Sequence, residues 1–195
     1  MAKIKQKPSM LGIIMGIVVL AMCAISVTGL AVDEWTVYEV NTAHVDTEDL
    51  EKLFNMSQSF GDYSDSVIGE EGEKIEDIEI SFDTDDPAAV RTTMVVFGYI
   101  AVIAVCALAL LYLLKMVVNV GLMRFLVGIL GIVTLAAGAV LTAMTAIYCD
   151  STTIFVSFPI IGEIDLGLAL GVGAYLSCIG TMAGGLSAVI GVARK

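Results

Sequence analysis

The sequence predicts an α-helical membrane protein: a four-transmembrane-helix bundle with a small extracellular antiparallel β-sheet built from loops 1 and 2. Of its 195 residues, 57% are hydrophobic, which is more than the roughly 45–50% of soluble domains. The apolar residues form four runs, each long enough for the ~20 residues of a transmembrane helix. All acidic residues lie in loops 1 and 2, so the formal net charge of −11 describes one exposed face. Nucleic acid is therefore not an expected partner.

The four runs form one predicted membrane domain over residues 1–195. They lie at about 9–32, 92–114, 125–148 and 166–192. Lys3, Lys5 and Lys7 precede the first run, whose roughly 24 residues exceed the ~7–15 of a signal-peptide apolar region. We expect a retained signal anchor, although Gly29 and Ala31 also fit the small residues of a cleavage site.

The basic residues predict the orientation, because short cytoplasmic loops retain Lys and Arg. The amino terminus, the short connection with Lys115 and Arg124, and the carboxyl terminus hold most of them. We therefore expect a multi-pass protein of the plasma membrane with both termini in the cytoplasm. Residues 33–90, the acidic insert, and residues 149–165, the second loop, are expected to be extracellular.

The two extracellular segments carry period-2 patterns typical of strands. Strands are predicted at 35–40 and 75–82 in the insert and at 152–161 in the second loop, and a short amphipathic helix is predicted at about 46–55. Because an isolated two-stranded hairpin is marginal in water, we expect one sheet that combines strands of both loops.

Small residues spaced four apart predict where the helices approach each other closely. Such pairs are Gly12 with Gly16, Gly167 with Gly171, and Gly180 with Gly184. The fourth span has the highest glycine density, and it is therefore expected to pack inside the bundle or against a partner.

The acidic insert offers weak candidates for calcium binding, since Ca²⁺ prefers carboxylate oxygens. These candidates are Asp62, Asp65, Asp83, Asp85 and Asp86. They lack the ligand spacing and glycine of an EF-hand, so a solvated acidic face is the favoured interpretation and no cofactor is predicted.

No catalytic group can be assembled from the sequence. No charged residue lies in the middle of a predicted span, and no nucleophile, base and orienting residue can be placed together. Cys23, Cys106 and Cys178 lie within apolar runs, where we expect inert packing residues, and Cys149 lies at a membrane edge. The protein is therefore not expected to be an enzyme.

The order of elements resembles the claudin and peripheral-myelin-protein superfamily of four-span proteins. The resemblance rests on Trp35 in the first strand, on residues 152–158, and on the glycine-rich stretch 166–173. Claudins carry a Gly-Leu-Trp triplet and two cysteines in the first loop, and residues 33–90 contain neither. The chain therefore resembles a distant prokaryotic, archaeal-type relative of this superfamily that lacks its signature. The resemblance implies a function in adhesion or self-assembly.

Two functions follow as hypotheses. The first is a non-enzymatic protein whose acidic extracellular cap contacts copies of itself or another protein, with aromatic contact residues Trp35, Tyr38, Phe54 and Tyr63. For Trp35, which stands three residues beyond the first span, the other interpretation is an interfacial anchor at headgroup depth. The alternative is an accessory subunit of a larger membrane complex, such as a channel, transporter or respiratory enzyme, that docks through the fourth helix. The lipid bilayer surrounds the helices in both cases.

Overall fold

Four long helices dominate the part of the chain that the computed structural model describes, which comprises residues 10–40, 57–59, 61–62, 78–82, 87–118, 120–158 and 162–193. They are α1 (Met10–Ala31), α2 (Pro87–Val117), α3 (Gly121–Ser151) and α4 (Val172–Ala193). Each is long and apolar enough to cross a membrane. The prediction of a mainly helical membrane protein with four candidate spans is therefore confirmed.

The helices α2 and α3 are longer than the sequence predicts. Each has 31 residues, and at about 1.5 Å per residue each extends roughly 46 Å, compared with ~30 Å for the hydrocarbon core. Their additional residues lie at the ends and include Arg91, Arg124 and Asp150. The charged side chains can therefore reach the aqueous boundaries of a bilayer.

The described strands form one antiparallel sheet of five strands in the order β2-β1-β5-β4-β3. They are β1 (Thr36–Val40), β2 (Ser57–Gln58), β3 (Ile78–Phe82), β4 (Thr152–Phe158) and β5 (Gly162–Leu170). The hairpin β4-β5 is central: β1 pairs with β5, and β3 pairs with β4. The sheet thus combines strands of both loops, as predicted: β3 pairs with β4 of the second loop, whereas β1 pairs with residues 166–170 of β5, which lie beyond the predicted loop.

The predicted start of the fourth helix is wrong. Residues 166–170 belong to β5, and the helix begins at Val172. Leu166, Leu168 and Leu170 alternate with small residues, which is the period-2 pattern of a strand, yet their apolar character merges with that of the helix in a hydropathy profile. The predicted helix at 46–55 lies outside the described residues, as do residues 75–77 and 159–161 of the predicted strands.

The described residues divide into two compact units. The first comprises 1–28, 97–141 and 176–195, and the second comprises 29–96 and 142–175. In the first unit, Val19 of α1, Tyr112 of α2, Val127 of α3 and Ala188 of α4 belong to one buried cluster. All four helices therefore share one core.

Helices α1 and α4 approach each other closely in the first unit. A Cβ atom added at Gly180 would lie 2.7 Å from the backbone nitrogen of Ser26 and 2.8 Å from the carbonyl oxygen of Met22. Hydroxyl groups cross the same contact, since Ser26 Oγ lies 2.7 Å from Thr181 Oγ1 and Ser177 Oγ donates to the Ser26 carbonyl at 2.8 Å. Close backbones and hydrogen bonds between helices stabilise association in lipid.

We predict that Gly180→Ala lowers the stability of the protein in detergent by about 1–3 kcal/mol, because the new methyl group meets backbone atoms that cannot rotate away. Thermal unfolding followed by circular dichroism measures the change. Gly121→Ala is the matched control, since no atom lies within 4 Å of its Cβ position. Equal melting temperatures for the two variants would contradict the close contact.

Candidate functional site

The candidate site lies in the second unit, where the chain leaves α1 and enters the sheet. Four residues separate the end of α1 at Ala31 from the start of β1 at Thr36. The side chains of Trp35 and Thr36 are both fully buried. The tryptophan therefore packs in the interior of the folded unit.

Two backbone hydrogen bonds hold this connection against the start of α4. The amide of Gly171 donates to the Trp35 carbonyl at 2.9 Å, and the amide of Gly173 donates to the Glu34 carbonyl at 2.8 Å. The first bond continues the ladder of β1 and β5, in which Thr36 is opposite Leu170. We call these two bonds the glycine junction. They fix the two points at which the sheet continues into transmembrane helices.

Both positions of the glycine junction require glycine for steric reasons. A Cβ atom at Gly171 would overlap the carbonyl oxygen of Glu34, and one at Gly173 would lie 2.7 Å from the carbonyl oxygen of Gly29. In each case the opposing atom is backbone. A larger residue would therefore force the two chain segments apart.

The other side of the sheet continues directly from α3. This helix ends at Ser151 and β4 begins at Thr152. Thr152 is buried, and its hydroxyl donates to the Tyr148 carbonyl at 2.6 Å. That bond satisfies one of the carbonyls that a helix leaves unpaired at its end. The helix and the strand are thus joined without a flexible linker.

Of the predicted contact residues, only Trp35 has a side chain that the structure describes. Trp35 is fully buried, so the prediction of an exposed contact is wrong for its side chain. The backbone of Tyr38 lies in β1 opposite Leu168. Phe54 and Tyr63 lie outside the described residues.

Of the predicted calcium ligands, only Asp62 lies within the described residues. Its carboxylate accepts a hydrogen bond from the Ser59 amide at 2.9 Å, and its own amide donates to Ser59 Oγ at 3.1 Å. This reciprocal pair is a local turn. Asp65, Asp83, Asp85 and Asp86 fall outside the described residues. Among the described residues, no group of three metal-binding side chains is found.

The predicted packing glycines lie in two different settings. Gly16 faces Tyr112 and Met116, Gly184 faces Val105, and the carbonyl of Gly12 accepts a hydrogen bond from the Tyr112 hydroxyl at 3.2 Å. Gly167 lies within β5 and Gly171 directly follows it, so these two are not helix-packing residues. Their spacing fits a helix, but every second residue of a strand also falls on one face.

Sequence reasoning did not find the buried cation at the end of α2. Lys115 is only 9% exposed. Its Nζ donates to the Gly191 carbonyl at 3.2 Å and lies 4.3 Å from the centre of the Tyr112 ring. Gly191 is in the last turn of α4, where the helix dipole favours a positive charge, and the ring face adds a cation–π interaction. The lysine thus ties α2 to α4.

The chain matches no protein-family model, no curated protein and no solved structure.

We predict that Gly171→Ala opens the glycine junction and exposes Trp35, because the added methyl group displaces the backbone beside it. Trp35 is the single tryptophan of the protein, so intrinsic fluorescence reports on this site alone. The emission maximum should shift to longer wavelength and quenching by acrylamide should increase.

Gly128→Ala is the control for this measurement, because its Cβ would make only an ordinary contact, 3.8 Å from Val192. It should leave both the emission maximum and the quenching unchanged. A Gly171→Ala spectrum identical to that of the unmodified protein would show that the junction does not hold Trp35.

Proposed function

We propose that this protein is a non-enzymatic integral membrane protein of the plasma membrane whose acidic extracellular cap contacts the caps of other copies. The cap is residues 33–90 together with residues 149–170, because β5 extends to Leu170. The observation that carries the proposal is the five-stranded sheet, in which strands of both loops pair with one another. A sheet of this kind provides a defined surface, whereas two separate loops would have to order on binding.

Charge supports the proposed orientation. The connection between α2 and α3 is flanked by Lys115 and Arg124, and all acidic residues lie in the cap. The first and third connections of a four-span chain emerge on the same side. With basic residues retained in the cytoplasm, both segments of the cap are outside and both termini are inside.

Charge also determines how the caps meet. Identical acidic surfaces repel each other over about 10 Å at 0.1 M salt, and higher ionic strength shortens that range. Contact between copies should therefore strengthen as salt increases. Contact with a basic partner would weaken as salt increases. The dependence on ionic strength therefore distinguishes contact between copies from contact with a basic partner.

The alternative of an accessory subunit lacks a specific supporting observation. It requires the glycines of α4 as a docking face. Gly180 lies against α1, Gly184 against α2, and Gly185 against the Gly131 carbonyl and Leu135 of α3. These glycines are already used within the chain. A stoichiometric larger partner in a gentle detergent extract would nevertheless favour that alternative.

The test is clustering of vesicles that carry the purified protein, followed by light scattering. We predict that clustering increases with salt. A variant with Asp62, Asp65, Asp83, Asp85 and Asp86 changed to Asn should cluster at lower salt, because the repulsion between caps is reduced.

Two controls accompany this experiment. Changing Lys3, Lys5 and Lys7 to Gln alters charge on the opposite side of the membrane and should not affect clustering. Asp62→Cys, placed in a background in which the native cysteines are Ala, should react with a membrane-impermeant maleimide only in vesicles with outward caps. The proposal would be contradicted if the extent of clustering changed neither with salt concentration nor when the five Asp residues are replaced by Asn.

A further inference from the structure

Two cysteines of different helices contact each other in the first unit. The Sγ atom of Cys23 in α1 lies 3.7 Å from the Sγ atom of Cys106 in α2. Both side chains are free thiols, and both are half-buried. Both were expected from the sequence to be inert packing residues, and their contact with each other was not predicted.

The packing of α1 on α2 places these cysteines at about the same level along the helix pair. Gly16 of α1 faces Tyr112 of α2. Cys23 follows Gly16 by seven residues, or about 10 Å along the helix axis, and Cys106 precedes Tyr112 by six residues, or about 9 Å. In an antiparallel helix pair the two cysteines therefore lie at the same level.

We infer that Cys23 and Cys106 form an oxidisable thiol pair whose disulfide bond joins α1 to α2. A disulfide requires the sulfurs to approach to about 2.05 Å. The two Sγ atoms, 3.7 Å apart, must therefore move about 1.7 Å closer, and rotation about the side-chain bonds of both cysteines contributes to that approach. The pair is thus a modification site within the helix bundle.

The oxidant must be soluble in lipid, because both thiols lie well inside apolar helices. A quinone is a two-electron acceptor of this class. The two S–H bonds break and one S–S bond forms, and the two protons and two electrons released convert the quinone to the hydroquinone. Both sulfurs are oxidised and no other bond of the protein changes.

The bond would have its main effect on α1, which is the least buried of the four candidate spans. Its contacts with the rest of the first unit include Gly16 against α2 and Ser26 against α4. In the reduced protein α1 is held by packing and hydrogen bonds alone. In the oxidised protein it is also tethered covalently to α2.

The test counts thiols in the full-length protein reconstituted in vesicles. The sample is treated with tetramethylbenzoquinone, whose fully substituted ring cannot add thiols, then denatured in SDS and alkylated with a polyethylene-glycol maleimide. The four cysteines should give four alkylated sites before oxidation and two after it. Dithiothreitol should restore all four, and peptide mapping should identify Cys23 linked to Cys106.

Variants make the result specific. Cys149→Ala/Cys178→Ala should lose both remaining thiols on oxidation and stay monomeric on a non-reducing gel. Adding Cys106→Ala should leave the Cys23 thiol fully reactive with the maleimide.

Retention of all four thiols after treatment with both the quinone and diamide, or a disulfide-linked dimer of the Cys149→Ala/Cys178→Ala variant, would overturn the thiol pair. Loss of two thiols after treatment with diamide, together with retention of all four after treatment with the quinone, would overturn the quinone as oxidant.

Discussion

The glycine junction is the constraint on which the second unit depends. There, the amides of Gly171 and Gly173 donate to the carbonyls of Trp35 and Glu34, so the exit from the first helix is bound to the start of the last. The bond from Gly171 extends the β1-β5 ladder by one step. Since β5 also pairs with β4, and β4 with β3, the junction connects strands that are far apart in the sequence.

Because the sheet is built from two separate parts of the chain, neither part has to supply all the strand partners by itself. The insert between α1 and α2 contributes β1, β2 and β3, and of the pairings among the described residues only the short β1-β2 contact lies within it. The hairpin β4-β5 supplies the remaining partners. Backbone groups of the long strands are therefore satisfied by segments that are brought together only after α1, α2 and α3 have all been placed.

The helices of the first unit are held together by other interactions, because lipid hydrocarbon provides no hydrophobic driving force for their association. Small residues and hydroxyl groups replace it. Gly180 brings α4 close to α1, and Gly185 brings it within contact of the Gly131 carbonyl in α3. Lys115 adds a charged link from α2 to Gly191 near the end of α4. The fourth helix is thus the element that contacts all three others.

Sequence patterns predicted those features that depend on local composition. Apolar length identified four spans, and alternation identified β1, β3 and β4. The strand β5 was not predicted because Leu166, Leu168 and Leu170 are as apolar as the residues of the helix that follows. Only their pairing with β1 and β4 identifies this stretch as a strand. The contact of Cys23 with Cys106 and the burial of Trp35 could not be predicted, since both depend on how distant segments align.

The central claim is that strands of the two loops form one cooperative sheet, and hydrogen exchange of the full-length protein in nanodiscs tests it most directly. Segments that open together exchange with the same free energy. The amides of β1 and β5 should therefore exchange slowly, and both strands should lose this protection at the same denaturant concentration. Rapid exchange across β1 while β5 remains protected would show that the two loops are separate structures, and it would contradict the account.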